Sequence, residues 1–229
     1  MTITRSFFPS ENIENILNNC RKRSYKAKNI IIHLGDYSSS LFYILSGSVA
    51  AIAQDNDGKE ITLAYLNPGD FVGEMGLFEQ NRRSARIRAK TKCELVEVSY
   101  QKNFSLSIKH PELMFALAQQ MSTRLAHTSR KACDLAFLGV RGRVAAALID
   151  LCNEPDALKK KTSIHIKITR QEIARLVGCS REMVGKTLKD LEVQSLVRLY
   201  GKTIVISANN HKRLAAMPDY QALFTQRNL

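Results

Sequence analysis

One stretch of the chain, DFVGEMGLFEQNRRSARI at residues 70–87, combines an acid, a base and a hydroxyl group in apolar, Gly-rich surroundings. Glu74 directly follows Gly73, and the pair Arg83-Ser84 comes soon after. A guanidinium is a planar fork of donors that suits anionic oxygens, and a carboxylate accepts hydrogen bonds from hydroxyl groups. Backbone N–H groups of a Gly-rich turn can complete the cradle around an anion. The stretch therefore predicts a site for a small anionic ligand with a free hydroxyl; a structural Glu–Arg ion pair is the alternative.

A second stretch, KITRQEIARLVGCSREMVGKTLKDLEVQSLV at residues 167–197, has the signals of two short helices joined by a tight turn. Thr169 and Glu172 have the spacing of a capping box, which begins the first helix. Gly178 suits the turn, and Ser180 suits the cap of the second helix. Apolar and polar residues then fall on opposite faces of that second helix. This combination predicts a helix-turn-helix.

The polar face of the second helix has residue types that recognise DNA. The first residues of such a helix enter the major groove, where an arginine can donate two bonds to guanine and a glutamate can accept from cytosine. A glycine on this face permits close approach, and neighbouring polar residues can contact phosphates. The expected DNA contacts are Arg170, Gln171, Ser180, Arg181, Glu182, Gly185, Lys186 and Lys202. A charged face that is merely solvated is the alternative.

The charge distribution agrees with a double-stranded DNA partner. The chain has 229 residues and a net charge of +13. Residues 138–229 have 16 Lys/Arg and 8 Asp/Glu, a net charge of +8, whereas residues 1–137 have a net charge of +5. The carboxy-terminal part is thus the more basic per residue, which suits contact with phosphates.

Other classes of protein lack support in the sequence. The five cysteines are scattered without a CxxC pair, and the five histidines lack HExxH spacing, so we expect reduced thiols and no metal. No apolar run approaches the roughly 18 residues of a membrane span, and we expect a cytoplasmic protein without membrane association. There is no nucleophile–base arrangement and no Walker loop, so we expect no enzyme.

Periodicity predicts the elements that hold these residues in place. From residue 30 to residue 100, short apolar runs alternate with turn signals such as DNDG, which is typical of a sandwich or barrel of jelly-roll type. At residue 110 the period changes to that of a long helix. Beyond it we expect a helix over VRGRVAAALIDLC, a loop at EPDALKKK, a strand at IHIKI, the two short helices, and a hairpin over RLYGKTIVIS.

The long helix has a seam of residues spaced by three and four, sustained over about three heptads. The seam consists of Met114, Leu117, Met121, Leu125, Thr128, Ala132 and Leu135. A seam of this length usually packs against a partner helix, and a second copy across a two-fold axis is the simplest partner. We therefore predict a homodimer; packing of the helix on its own β-domain is the alternative.

Three groups of residues together resemble the CRP/FNR family of bacterial transcription regulators. They are GEMGLF with RSA, the region from SYQK to LAFL, and ITRQEIARLVGCSREMVGKTL with GKTIV. The resemblance covers nearly the whole chain and implies an α+β protein. Its expected parts are a cyclic-nucleotide-binding β-roll (jelly roll) over 1–109, a dimerisation helix over 110–138, a winged helix-turn-helix over 139–206 and a tail over 207–229.

The resemblance also implies a ligand and partners. The first stretch corresponds to the family's phosphate-binding cassette, which binds cyclic AMP: the arginine and serine bind the cyclic phosphate, and the glutamate binds the ribose hydroxyl. Hydroxyls of the long helix reach the adenine, one from each subunit. The implied ligand contacts are Gly73, Glu74, Arg83, Ser84, Thr128 and Ser129. The resemblance further implies allosteric control by cyclic AMP of binding to palindromic TGTGA-type DNA, with RNA polymerase as a partner.

Some residues depart from the family pattern. The loop FEQNRRSA is one residue shorter than in the best-known member, which leaves open whether Arg82 or Arg83 binds the phosphate. Lys186 stands where close relatives mostly have arginine, so we expect a looser base preference. The loop ALKKKTS differs from the family's polymerase-contacting loop; the run Arg21-Lys22-Arg23 with Lys102 is an alternative polymerase-facing patch, or is simply solvated.

Two questions remain open at this level. The first is the role of the tail at 207–229, for which there are three alternatives. The tail is disordered, or it covers the winged helix, or it adds phosphate contacts through Lys212 and Arg213. The sensor is the other question, because the same scaffold can be ligand-independent or inhibited by cyclic di-GMP. Retention of Arg83-Ser84 and Thr128-Ser129 favours cyclic AMP, and the single amino-terminal Cys20 argues against an iron–sulfur sensor.

Overall fold

A computed structural model describes residues 10–77 and 82–215 of the chain. The chain divides into two compact units, residues 1–127 and 128–229, and the boundary falls inside the long helix. Within the described ranges, no helix is both long enough and apolar enough to cross a membrane. Each unit has its own sheets and helices.

The first unit consists mainly of antiparallel strands, as the apolar runs predict. Its elements are α1 Ser10–Ile16, β1 Arg21–Tyr25, β2 Ile30–Ile32, β3 Ser40–Ser46, β4 Val49–Gln54, β5 Glu60–Leu66, β6 Phe71–Val72, a 3-10 helix Glu74–Leu77, β7 Arg86–Ala89, β8 Cys93–Ser99, α2 Tyr100–Lys109 and the first part of α3 Glu112–Phe137. The strands form two sheets with the orders β1-β8-β3-β6 and β2-β7-β4-β5.

The sheet β1-β8-β3-β6 buries apolar side chains on both of its faces. Phe42 and Ile44 of β3 lie in a core shared with the sheet β2-β7-β4-β5. Leu41 and Tyr43 of the same strand point the other way, into a core completed by α1 and α3. Because both faces are covered, β3 has the continuous apolar sequence SLFYILS rather than an alternating one.

The first turns of α3 cover this sheet. Leu113 and Leu117 are only 2% and 3% exposed and lie in the core with α1. The seam predicted for a dimer is therefore wrong at Leu117, which packs on its own β-roll. Further along the helix, Met121 and Leu125 are 37% and 69% exposed. The dimer itself stays a prediction, and its seam is restricted to the later turns of α3.

The elements of the first unit that were not predicted are α1, β1, β6, the 3-10 helix and α2. Helix α2 begins after Ser99, whose side chain accepts from the N–H of Lys102. Its large apolar residues Phe104 and Ile108 are each 69% exposed. This helix is held by its cap and by Tyr100 and Leu106, which pack against the core, while its other large apolar residues face outward.

The second unit forms around a three-helix core and a small antiparallel sheet. Its elements after α3 are α4 Val140–Leu151, β9 Leu158–Lys159, β10 Ser163–Lys167, α5 Arg170–Val177, α6 Arg181–Val193, β11 Arg198–Tyr200, β12 Thr203–Ser207 and α7 Ala208–Ala215. The sheet order is β11-β12-β10-β9. The segment EPDALKKK was predicted to be a loop, but it contains the short strand β9. Lys159 of this strand pairs with Ile164 of β10.

Helix α7 accounts for the start of the tail. Leu214 is fully buried, and the helix packs on α4. The Asn210 side-chain amide donates to the carbonyl of Ser195 at 2.6 Å. Residues 208–215 thus cover the winged helix, one of the three alternatives for the tail. The rest of the tail, residues 216–229, lies outside the described residues.

Two glycines with similar backbone conformations allow the packing of the β-roll to be tested. Gly47 and Gly35 have similar left-handed φ angles of +79° and +83°. A Cβ added to Gly47 would lie 2.2 Å from the carbonyl oxygen of Lys92, whereas nothing lies within 4 Å of one added to Gly35. We expect Gly35→Ala to lower the free energy of unfolding by about 1 kcal/mol, the backbone cost alone. Gly47→Ala should lower it by ~3 kcal/mol or more, because backbone must also move. Urea denaturation followed by circular dichroism measures both, and equal losses would contradict the close packing at Gly47.

Candidate functional site

The cassette begins where β6 ends. Gly73 has a φ of +80°, and a Cβ at this position would lie 2.5 Å from Nη1 of Arg83. Any side chain at residue 73 would therefore displace the arginine. Glu74 follows at the start of the 3-10 helix and is 7% exposed. Strand and turn thus bring a buried carboxylate and a buried guanidinium to one place.

Arg83 is buried among neutral acceptors. It is 8% exposed, and its guanidinium donates to the carbonyl oxygens of Ser40 at 2.7 Å and Gly73 at 3.1 Å, and to the Tyr100 hydroxyl at 3.2 Å. Within the described ranges, all of its hydrogen bonds go to uncharged oxygens. Dipoles alone therefore stabilise this buried positive charge, which suits an anionic ligand next to it.

Glu74 is paired with a different arginine. Nη1 of Arg124, on α3, donates to Oε1 of Glu74 at 2.7 Å. The same guanidinium also donates to the backbone oxygen of Phe71. The Glu74–Arg83 ion pair that the sequence left as an alternative is thus not formed here: Glu74 has Arg124 as its partner.

Sequence reasoning missed Arg124, although a signal was present. Leu113 and Leu117 are the buried residues of α3, and Gln120 and Arg124 continue the same stripe at helical spacing. Polar residues that continue an apolar stripe must have partners inside the protein. This pattern would have marked both side chains as part of a buried polar site.

Hydroxyl groups complete the floor of the cassette. The Tyr100 hydroxyl donates to the carbonyl of Gly73 at 2.7 Å and also contacts the Ser38 hydroxyl. A Cβ at Gly76 would lie 2.1 Å from Oγ of Ser38 and 2.3 Å from Oη of Tyr100. The glycine therefore leaves room for these two hydroxyls beneath the turn.

The pKa of the nearby Asp70 carboxyl is raised, chiefly by burial. The N–H of Asn67, which donates to this carboxyl at 2.8 Å, and the charge of Arg124 act in the opposite direction. The positive charge that acts on both the Glu74 and the Asp70 carboxyls is therefore that of Arg124, not that of Arg83. In the part of the chain that the structure describes, no cluster of His, Cys, Asp or Glu is suited to a metal ion.

The other predicted ligand residues lie at the surface. Ser84 is exposed, with Oγ 3.1 Å from the sulfur of Met75. Arg82 is exposed and points elsewhere, with its guanidinium 3.9 Å above the ring of Tyr37. Part of the predicted cassette loop, residues 78–81, lies outside the described residues. Thr128 and Ser129 are exposed on α3, at the start of the second unit.

The helix-turn-helix forms with the predicted caps. The hydroxyl of Thr169 accepts from the N–H of Glu172, whose carboxylate accepts from the N–H of Thr169 at 2.8 Å. Gly178 ends α5 with a φ of +65°, and the Ser180 hydroxyl accepts from the N–H of Met183. Local sequence thus fixes where each helix begins and ends.

The two helices present a polar face. Their apolar residues, among them Ile173, Val184 and Leu188, are buried in the second unit. The exposed residues include the predicted contacts Arg170, Gln171, Ser180, Arg181, Glu182, Lys186 and Lys202. Gly185 lies beside the stem of Arg170, because a Cβ there would be 3.6 Å from Cδ of that arginine. The structure therefore brings Arg170 onto the face of α6.

The wing lies next to the start of α5. The carbonyl of Lys202 accepts from the N–H of Ile168 at 2.9 Å, which fixes the hairpin tip beside the capping box. At the start of α6, the Glu182 carboxylate accepts hydrogen bonds from the backbone N–H of Glu182 and from the side chain of Ser180. Both hydrogen bonds lower the pKa of this carboxylate. The lowered pKa favours the charged carboxylate of Glu182, which can only accept hydrogen bonds.

Two protein-family models match the chain, one in each of its two units. The model of the cyclic nucleotide-binding domain matches residues 22–110, and that of the Crp-like helix-turn-helix domain matches residues 142–217. These two matches correspond to the β-roll and to the winged helix-turn-helix expected from the sequence.

Named relatives agree with these matches. The cAMP-activated global transcriptional regulator Vfr of Pseudomonas aeruginosa is 50% identical over 200 residues, which cover 86% of this chain and 94% of Vfr. The corresponding regulator CRP of Salmonella typhimurium is 49% identical over 195 residues, which cover 85% of this chain and 93% of CRP. A solved structure of CLP, a c-di-GMP-responsive regulator of Xanthomonas campestris, has a TM-score of 0.79 at 42% identity and covers 86% of this chain and 99% of its own.

This chain belongs to the CRP/FNR family of transcription regulators. The resemblance and the fold class expected from the sequence are thereby confirmed. Its relatives are regulators and not enzymes, and the protein is likewise a DNA-binding regulator with a cyclic-nucleotide effector domain.

The Glu74–Arg124 pair can be tested by a double-mutant cycle. Arg124→Met leaves the Glu74 carboxylate buried without its counterion, so we expect a loss of ~2 kcal/mol in the free energy of unfolding. The double variant Glu74→Gln with Arg124→Met should recover most of this loss, because the unpaired charge is removed as well. Urea denaturation of the four proteins measures the coupling, and strictly additive losses would contradict a direct interaction.

Proposed function

We propose that the protein is a cytoplasmic, homodimeric transcription factor of a bacterium that binds palindromic TGTGA-type sites in response to cyclic AMP. The observation that carries this proposal is Arg83, a buried guanidinium whose hydrogen bonds within the described residues go to neutral oxygens only. A cyclic phosphate supplies the anionic oxygens that such a group lacks.

The other proposed ligand contacts are those that the family resemblance implies, and the geometry is compatible with them. Glu74 lies beside Gly73 and can accept from the ribose 2′-hydroxyl while Arg124 keeps its charge paired. The exposed Ser84 hydroxyl follows Arg83 directly and can donate to the phosphate. The names of Vfr and CRP, each about half identical to this chain, describe cAMP-activated regulators and support the same ligand.

The proposed dimer uses the later turns of α3. Met121, Leu125 and Leu135 are exposed apolar residues on this helix, with Thr128 and Ser129 in the same exposed segment. Packing against a second copy buries these residues, and the two hydroxyls can then meet the adenine. Ligand binding would thereby bias helix packing and the spacing of the two recognition helices, which is the proposed allosteric change.

DNA is contacted by the face of α6 and by the wing. Arg181 and Lys186 donate to bases, Glu182 accepts from cytosine, and Gln171, Ser180 and Lys202 hold the phosphates. Arg170 can contact a base edge or a phosphate from its position over Gly185. A lysine at position 186 gives a looser preference than an arginine would, because it lacks the planar fork.

RNA polymerase is the proposed protein partner. Arg23 is paired with Glu97 at 2.6 Å, whereas Arg21, Lys22 and Lys102 are exposed. The polymerase-facing patch is therefore limited to these three cations, and the loop at 157–163, with its different residues, is the weaker candidate.

The function is tested by fluorescence anisotropy of a labelled TGTGA-N6-TCACA duplex at fixed salt. We expect cyclic AMP to tighten binding by about 5- to 150-fold, since couplings of this kind are typically 1–3 kcal/mol. Cyclic GMP and cyclic di-GMP should not tighten it. A duplex with changed guanines is the control and should bind weakly. Tight binding without ligand that cyclic di-GMP weakens would replace the proposed effector, and indifference to the guanines would refute the DNA site.

The phosphate contact is tested by comparing two neighbouring arginines. Arg83→Ala removes the buried guanidinium, and we expect cyclic AMP affinity to fall by about 100-fold, as for a lost charge-assisted bond. Arg82→Ala removes an exposed guanidinium that lies over Tyr37, and affinity should change by less than about threefold. Isothermal titration calorimetry measures both. A larger loss at Arg82 would assign the phosphate to that residue instead.

A further inference from the structure

The edge of the ligand cassette is bonded to α3 by one carboxamide. Oε1 of Gln120 accepts from the N–H of Phe71 at 2.7 Å, and its Nε2 donates to the carbonyl of Phe71 at 2.8 Å. Both backbone groups of one residue are thus satisfied by one side chain. We call this arrangement the Gln120–Phe71 pair.

The location of Phe71 explains why such a pair is needed. Strand β6 is at the edge of the sheet β1-β8-β3-β6, where Phe71 is opposite Tyr43 of β3. An edge strand has N–H and C=O groups that point away from the sheet, and when buried they need partners. The Phe71 side chain is 3% exposed, so water has little access to this edge. Gln120 acts here as a neighbouring strand would.

The pair lies directly before the ligand-binding residues. Phe71 is two residues from Gly73 and three from Glu74. One helical turn beyond Gln120, Arg124 contacts Glu74 and the same carbonyl of Phe71. Two side chains of α3 therefore hold residues 71–74. Gln120 bonds to the backbone of Phe71, and Arg124 bonds to the carbonyl of Phe71 and to the Glu74 carboxylate.

We propose that Gln120 is a positioning residue for the cyclic nucleotide: it fixes the backbone before Gly73 against α3, so that the cassette is preformed for its ligand. This inference rests on the proposed function for the identity of the ligand. Without the pair, the N–H of Phe71 loses its partner and only the contacts of Arg124 connect this edge to α3, so the ligand must order part of the cassette on binding. Loss of the pair should therefore weaken ligand binding and reduce the protection of the Phe71 amide against hydrogen exchange.

The test compares Gln120→Leu, Gln120→Glu and the control Gln101→Leu. Leucine has a similar volume but neither donor nor acceptor. Glutamate keeps the acceptor for the N–H of Phe71 and loses the donor toward its carbonyl. Gln101 is exposed on α2 in the same unit, so Gln101→Leu makes the same chemical change away from the cassette.

The first readout is hydrogen exchange of the Phe71 amide, measured by NMR without nucleotide. We expect exchange at least about tenfold faster in Gln120→Leu, near the wild-type rate in Gln120→Glu, and unchanged in the control. The amide of Val96, in the middle of β8, should keep its protection in every variant. Wild-type protection of Phe71 in Gln120→Leu would overturn the proposal.

The second readout is cyclic AMP affinity by calorimetry. We expect about tenfold weaker binding in Gln120→Leu and about threefold weaker binding in Gln120→Glu, with Gln101→Leu unchanged. Unchanged affinity in Gln120→Leu would refute the positioning role. If Gln120→Leu does not fold, Gln120→Glu decides alone, and wild-type affinity in that variant counts against the role. If the wild-type protein does not bind cyclic AMP, the proposed ligand is wrong, while the exchange of Phe71 still decides whether the pair fixes the cassette.

Discussion

The sheet β1-β8-β3-β6 has to be covered on both faces, and much of the first unit follows from this requirement. One face packs on the second sheet, and the other needs helices, which α1 and the first turns of α3 supply. Since Leu113 and Leu117 hold α3 in place, the next residues on the same stripe necessarily lie over the edge of the sheet. Hydrophobic packing of a helix thus determines where the polar groups of the ligand site are placed.

The buried Arg83 and the partly buried Arg124 differ in how their charges are stabilised. Arg124 has a carboxylate partner in Glu74, so its charge is balanced within the protein. Arg83 has carbonyl and hydroxyl oxygens only, within the described residues. Under the proposed function, the cyclic phosphate supplies the negative charge that Arg83 lacks among the described residues, and a neutral ligand of the same shape gains less there.

Prediction from sequence was most successful where local chemistry is sufficient. The capping box at Thr169, the turn at Gly178 and the hairpin at Gly201-Lys202 each depend on neighbouring residues, and they form as expected. The seam failed at Leu117 because heptad spacing does not tell whether a stripe faces a partner or the chain's own sheet. The pairing of Arg124 with Glu74 was missed because the two residues are 50 positions apart, although helical spacing alone places Arg124 on the inward stripe of α3. Such pairings depend on strand order, which no local pattern specifies.

The exposed polar face of the second unit is formed by two helices rather than by α6 alone, since the stem of Arg170 lies beside Gly185. A Cβ at position 185 would meet the stem of Arg170 at 3.6 Å, an ordinary van der Waals distance, whereas a longer side chain would compete with Arg170 for the same space. Substitutions at the two positions are therefore coupled once the side chain at position 185 extends beyond Cβ. Under the proposed function, this coupling makes epistasis between positions 170 and 185 an expected limit on the routes by which the DNA specificity of the regulator can evolve.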